Sequence, residues 1–209
     1  GGGGLISGIA VAIKMLKPDC KVIGVQAAGA PSMYNAVKAG CVEELSSVHT
    51  IADGIAVKKP GDLTYECCKE YVDDIITVTE DEIASAILSL MEIQKTVSEG
   101  AGATTVAAYM FKKVDTSLKT VCVVSGGNID VSFIHKVVAK GLVTRGRHLK
   151  FSTVMPDIPG SLERFAHLIA QENANIILFD HDRVHADLDI DAAIVHMVCE
   201  VSGKEHGEK

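Results

Sequence analysis

Short, almost continuously apolar runs separated by segments of helical period constrain this chain more than any other feature. CKVIGVQAA (20–28), IITVTE (75–80) and KTVCVVSGGNID (119–130) are rich in β-branched residues and too short for helices. They are also too uniformly apolar for a sheet with one wet face, and so suit strands covered on both sides. Between them lie LISGIAVAIKMLKP, SMYNAVKAG, DLTYECCKEYVDD, EDEIASAILSLMEIQKT and EGAGATTVAAYMFKK, with VSFIHKVVAKGLV after the last; each repeats apolar residues at helical spacing. The first stops at Lys17-Pro18 and the second at Gly40, residues that end helices. The acidic start of EDEIASAILSLMEIQKT suits the positive end of a helix dipole. Strands alternating with helices predict an α/β domain, a parallel sheet with helices on both faces. Ligands of such sheets bind beyond the C-terminal ends of the strands. Both glycine-rich turns of this chain fall in such positions.

After about residue 144 the pattern changes. FSTVMPDIPGSLERFAHLIAQENANIILFDHDRV predicts strand, turn, helix and strand, DAAIVHMVCEV a further strand, and SGKEHGEK the start of a helix. We therefore expect two domains, residues 1–144 and residues 148–209, the second of them incomplete. The chain opens on four glycines without a methionine, so a preceding segment is expected too.

Composition narrows the classes of function. A net charge of −7 with scattered Lys and Arg argues against nucleic acid or an anionic membrane surface as a partner. No run of eighteen apolar residues occurs. The six cysteines (Cys20, Cys41, Cys67, Cys68, Cys122 and Cys199) form no CxxC pair, and the expectation is reduced thiols in a cytoplasmic protein.

Gly1, Gly2, Gly3 and Gly4, with Leu5 behind them, precede a helix, where several backbone N–H groups face the positive end of the dipole. That is a site for a phosphate dianion, and any side chain would obstruct its approach. A flexible linker is the alternative reading. A dinucleotide site is disfavoured, because Gln26 stands where an acidic residue would end the next strand. Ser125, at the end of a predicted strand and before two glycines, is by itself an ordinary turn residue.

GGGGLISGIAVAIK, TIADGIAVKKPGDLTYE, SEGAGATTVAA and VVSGGNID together resemble, in order and spacing, the threonine dehydratases of the second pyridoxal-phosphate fold type; serine racemase is a close relative. The resemblance runs from Gly1 to about Val143. It implies a tryptophan-synthase-β-like fold, present here in part, with pyridoxal 5'-phosphate as cofactor and a small amino acid as substrate. Gly1 to Gly4 and the Leu5 backbone would hold the phosphate, and Ser125 would bond the pyridine nitrogen. Gly54 and Glu99 would lie beside the ring, although Glu99 also suits a residue that merely favours the dipole of the following helix. The implied reaction removes the β-hydroxyl of L-threonine, and of L-serine, and yields a 2-oxo acid and ammonia; such enzymes serve isoleucine synthesis or threonine breakdown. Serine racemisation is the nearest alternative, and a non-catalytic amino-acid-binding regulator a more distant one.

The cofactor-binding lysine of the family should lie upstream, because Lys14, Lys38 and Lys69 sit on helices in no comparable motif and read as solvated. The 209 residues alone are therefore expected to be inactive. A divalent site known in some relatives is not expected, since Gln26, Ala30 and Ser32 occupy the matching positions. Residues 148–209 resemble an ACT module, of the ferredoxin-like α+β kind. That implies pairing into a homo-oligomer (dimer or tetramer) and an amino-acid or nucleotide effector near Asp157, Gly160 and Asn175; a purely structural dimerisation domain is the alternative. His181, His185 and His196 with Asp180, Asp182 and Asp187 lack fixed ligand geometry, and we read them as a solvated acidic loop.

Overall fold

The computed structural model of the protein describes residues 1–183 and 189–209. Two compact units divide it, Gly1–Val138 and Ala139–Lys209, each with its own core. The division falls within the helix α6, Val131–Thr144.

In the first unit, the helix α1 (Gly4–Leu16) leads to the strand β1 (Ile23–Ala27). The helices α2 (Ser32–Ala39) and α3 (Asp62–Tyr71) then lead to the strand β2 (Asp74–Val78). β1 and β2 pair in parallel, from Ile23 opposite Asp74 to Ala27 opposite Val78. Their alternation supplies two apolar faces. Val25, Ala27, Ile76 and Val78 pack toward the helices α4 (Glu80–Ser89) and α5 (Gly100–Met110). Ile75 packs on the other side with Ile6, Met33, Ala36, Tyr65 and Cys68 of α1, α2 and α3. Helices thus cover both faces of a parallel α/β sheet, as the uniformly apolar strands require.

Local chemistry sets the helix ends. α2 stops where Gly40 takes φ 77°, a left-handed turn that a Cβ would disfavour. Thr79 and Glu82 form a reciprocal capping box at the start of α4, the Thr79 hydroxyl accepting from Glu82 N–H and the Glu82 carboxylate from Thr79 N–H. The long helix expected over residues 80–96 changes character: beyond Ser89 it widens into a π turn, Leu90–Gln94, and closes at Lys95 with φ 55°.

The strand expected over residues 119–130 needs correction. Residues 121–130 join no ladder, although alternate residues Val121, Val123 and Ser125 line one cavity with the period of an extended chain. A strand is defined by its neighbour, and here the segment bonds to a helix. Thr105 Oγ1 donates to Val123 O at 3.0 Å, and Cys122 Sγ to Thr105 O. No described strand pairs with it.

The second unit holds the strands β3 (His148–Pro156), β4 (Asn175–Asp182) and β5 (Ala192–Glu200), with the helix α7 (Ser161–Gln171) between β3 and β4. The sheet order is β3-β5-β4, antiparallel throughout, a split β-α-β arrangement. Alternate residues of β5, Val195, Met197 and Cys199, are buried with Met155, and Phe151, Phe165 and Ile169 pack against them. Phe151 and Phe165 meet edge to face at 6.3 Å. A short helix α8 (Lys204–Gly207) follows. Among the described residues, no helix is long and apolar enough to cross a membrane.

Candidate functional site

A cavity of about 490 Å³ opens along the free edge of β1. Its walls include the glycine run with Leu5, strand β1 with Gln26, Gly54 with Ile55, Ala101, Thr104 and Thr105 of α5, and the segment ending at Ser125. The run enters α1 through Gly3 at φ 90°. A Cβ there would sit 2.9 Å from Thr64 Cβ and crowd Met33 Cε, so the position excludes side chains for space as well as for backbone angle. Among the described residues no acceptor serves the N–H groups of Gly2, Gly3, Gly4 and Leu5. They lie at the first turn of α1, where unpaired amides and the helix dipole favour an anion.

The opposite wall is built around α5. Glu99 caps it with extended backbone, and its N–H reaches Gly126 O at 3.4 Å. Gly126 has φ 86°, and a Cβ on it would overlap Glu99 Oε1. A Cβ on Gly102 would overlap Ser125 O. Two glycines therefore let the Ser125 turn press against the start of α5. The buried Ser98 hydroxyl fastens the same corner through Glu99 O at 3.1 Å and Gly126 O at 3.4 Å. A Cβ on Gly54 would stand 3.5 Å from Glu99 Oε1, which puts the Glu99 carboxylate between Gly54 and Gly126.

Of the residues singled out in the sequence, Gly1 to Gly4, Leu5, Gly54 and Ser125 all line the cavity. Glu99 stands behind this wall, against Gly54 and Gly126. Lys14 is not a free solvated cation. Its ammonium pairs with Asp73 at 2.7 Å and donates to Cys20 O at 3.0 Å. Lys38 and Lys69 lie over the rings of Tyr34 and Tyr65. Gln26 is buried, with Nε2 3.3 Å from Gly1 O and Oε1 accepting from Tyr34 N–H at 2.8 Å.

Two supporting residues escaped the sequence reading. Thr64 donates to Gly2 O at 2.5 Å from 62 residues away. Glu80, taken only as part of an acidic helix start, accepts from Ile51 N–H at 2.6 Å and Thr50 Oγ1 at 3.1 Å; it fastens the loop that carries Gly54. Nothing local marks Thr64, whereas the acid run did mark Glu80 without giving its partner. Beneath the glycine run, burial pushes the Cys68 thiol above its usual range, partly offset by its contact with Ser7 at 3.7 Å. That thiol is suited to packing rather than to nucleophilic work.

In the second unit, Asp157 and Gly160 border a pocket of about 310 Å³ together with Ser161, His181 and Arg183. Asp157 pairs with Arg183 at 3.1 Å. Asn175 opens β4 and is not part of that lining. His196 bonds Ser152 across the sheet at 2.7 Å and stands opposite Asp180 in the β4 register. Among the described residues no three His, Cys, Asp or Glu side chains could hold a metal; His185 and Asp187 lie outside the described residues.

The donor set fits a phosphate-bearing ring: unpaired amides at a helix start, a Cβ-free wall, and a neutral hydroxyl at the far side. Comparison with known proteins agrees. The chain is 46% identical over 209 residues to an L-threonine ammonia-lyase of Thermotoga maritima, covering 100% of this chain and 52% of that protein. It is 47% identical over 207 residues to an L-threonine ammonia-lyase of Geobacter sulfurreducens, covering 99% and 52%. It thus spans about half the length of these curated relatives. The processed form of threonine deaminase isoform 2 from Solanum lycopersicum superposes with a TM-score of 0.64 at 36% identity, over 68% of this chain and 40% of that one. The family described as pyridoxal-phosphate dependent enzyme matches residues 1–127, more than half of the sequence, and the chain belongs to that family.

Proposed function

We propose that this chain is the part of a threonine ammonia-lyase that grips the cofactor's phosphate and pyridine ring, joined to an ACT-like regulatory module. The meeting of the glycine run and Ser125 on one cavity carries the reading; the curated L-threonine ammonia-lyases that match the whole chain point to the substrate. The amides of Gly1 to Gly4 and Leu5 hold the phosphate, Ser125 bonds the pyridine nitrogen, and Gly54 and Glu99 flank the ring. Bound pyridoxal phosphate supplies the electron sink that makes the substrate α-proton labile. Ser125 sets how strong that sink is. A neutral hydroxyl, unlike a carboxylate, does not hold a full proton on the pyridine nitrogen, so prompt loss of the β-hydroxyl is favoured over amino transfer. L-threonine then yields 2-oxobutanoate and ammonia, and L-serine yields pyruvate and ammonia.

The lysine that carries the cofactor and takes the α-proton belongs, in this proposal, to a part of the protein outside these 209 residues. Lys14 supports this, being engaged by Asp73 and Cys20 O. Residues 1–144 form the catalytic-domain portion and residues 148–209 an incomplete ACT-like module. Asp157, Gly160 and Asn175 are its candidate contacts for an amino-acid or nucleotide effector. We assign the protein to the cytoplasm as a homo-oligomer, dimer or tetramer.

The test is release of ammonia and 2-oxo acid from L-threonine and L-serine, with pyridoxal phosphate, by this chain and by a version extended upstream. Activity in the extended protein alone, abolished by Ser125→Asp, is the expected result. An extended protein that binds amino acids without turnover would replace the enzyme reading with a sensor. D-serine as the main product would replace it with a racemase.

A further inference from the structure

A run of glycines has no preferred backbone direction, so something else must orient its peptide planes. In a trans peptide the carbonyl and the N–H of one unit point opposite ways, and fixing one aims the other. Gly2 O shares its plane with Gly3 N–H, and it is held by Thr64 Oγ1 at 2.5 Å. Gly1 O shares its plane with Gly2 N–H, and Gln26 Nε2 lies 3.3 Å from it. Gly2 and Gly3 line the cavity, whereas Thr64, on α3, does not. Its pull on the Gly2 carbonyl therefore turns Gly3 N–H toward the cavity side.

Gln26 is suited to its task by being neutral. It is 4% exposed, and the β1 alternation directs it to the side of α1 and α2. One end donates to Gly1 O, and the other accepts from Tyr34 N–H in the first turn of α2. A carboxylate could keep the second bond but has no proton for the first; only an amide serves both. The neutral amide thus ties the glycine run to α2.

We infer that Thr64 and Gln26 are positioning residues, which fix the Gly2 and Gly1 carbonyls and so aim the Gly3 and Gly2 amides at the phosphate, Thr64 from outside the cavity and Gln26 from its wall. The inference rests on the proposal that the glycine run holds that phosphate. It is tested by titrating the 209-residue chain with inorganic phosphate, followed by ³¹P line broadening and by the amide shifts of Gly2 and Gly3. The variants are Thr64→Val, Thr64→Ser and Gln26→Met. Each loss of a donor weakens phosphate binding about three- to tenfold, the equivalent of one net hydrogen bond. The phosphate-induced shift of Gly3 N–H is lost in Thr64→Val and that of Gly2 N–H in Gln26→Met. Thr64→Ser restores binding, because the hydroxyl and not the methyl does the work. If the unaltered chain binds no phosphate, the reading of the loop itself fails. If it binds, and Thr64→Val and Gln26→Met bind equally well, the loop reading stands and the positioning inference is overturned. Equal losses in Thr64→Ser and Thr64→Val overturn it too, and should Thr64→Val not fold, Gln26→Met decides.

Discussion

β1 and β2 run parallel between two layers of helix, whereas β3, β5 and β4 form an antiparallel sheet with its core on one face. The difference shows most clearly at single residues. In β1 the alternation sends Val25 and Ala27 to one helical layer and Gln26 to the other, and nothing along the strand can turn without disturbing a packed neighbour. In β4 the adjacent residues Ile177 and Leu178 lie at an irregularity in the pairing with β5, and each is 51% exposed. A strand enclosed on both sides can place a polar group such as the Gln26 amide against a chosen backbone carbonyl. β4, an edge strand with a register shift between Ile176 and Leu178, has no comparable constraint. The comparison teaches that site precision in this protein comes from enclosure, not from strand formation as such.

The largest effect that would sharpen this contrast is Ile87→Ala. Ile87 is fully buried beneath the β1–β2 sheet, and the cavity left behind should cost about 2–5 kcal/mol in urea unfolding. A loss below about 1 kcal/mol would mean that the helical layer is loosely packed after all. Val195→Ala in the core of the second unit removes two methyl groups' worth of contact at a fully buried site, with an expected cost of about 2 kcal/mol by the same measurement. Thr79→Ala breaks the capping box that starts α4 and should cost about 1 kcal/mol; Thr79→Ser should restore most of it. Ile177→Thr on β4 should fall within about 0.5 kcal/mol of the unaltered protein. A cost near that of Val195→Ala would show that something covers β4 in solution.

The smallest expected effect is electrostatic. Asp73 is held below the usual carboxylate range, first by its hydrogen bond to Lys14 and next by the one from Val22 N–H. A carboxyl whose folded value is depressed contributes stability above its unfolded value, and loses it as the pH falls through the folded one. The pair is partly solvated, so the contribution is a few tenths of a kcal/mol at most. Acid titration of melting temperature should therefore show a slightly shallower fall for Asp73→Asn than for the unaltered chain. No difference between them would make the ion pair a bystander.

Much of this was legible from the residues. Helices α1, α2, α3 and α5, strands β1 and β2, and the strand-helix-strand order of the second unit follow from apolar period and from local stops such as Pro18 and Gly40. The glycine run and Ser125, each ordinary by itself as a linker or a turn, stood out through the motifs that accompany them in order along the chain. The ladder expected over 119–130 was not legible, because Val121 to Val124 have the composition of a strand while pairing depends on what lies alongside. Neither was the π turn after Ser89, where the periodicity continues but the hydrogen bonds do not.

The sequence by itself determined the class of fold and the chemical character of the residues that meet at the cavity: a run of glycines at a helix start and a neutral hydroxyl on the far wall. Only the tertiary structure decided how the glycine amides are aimed, because the donors come from Thr64 on α3 and Gln26 on β1. Local propensity acts over a few residues, but a hydrogen bond between residues 62 positions apart exists only once packing has brought them together.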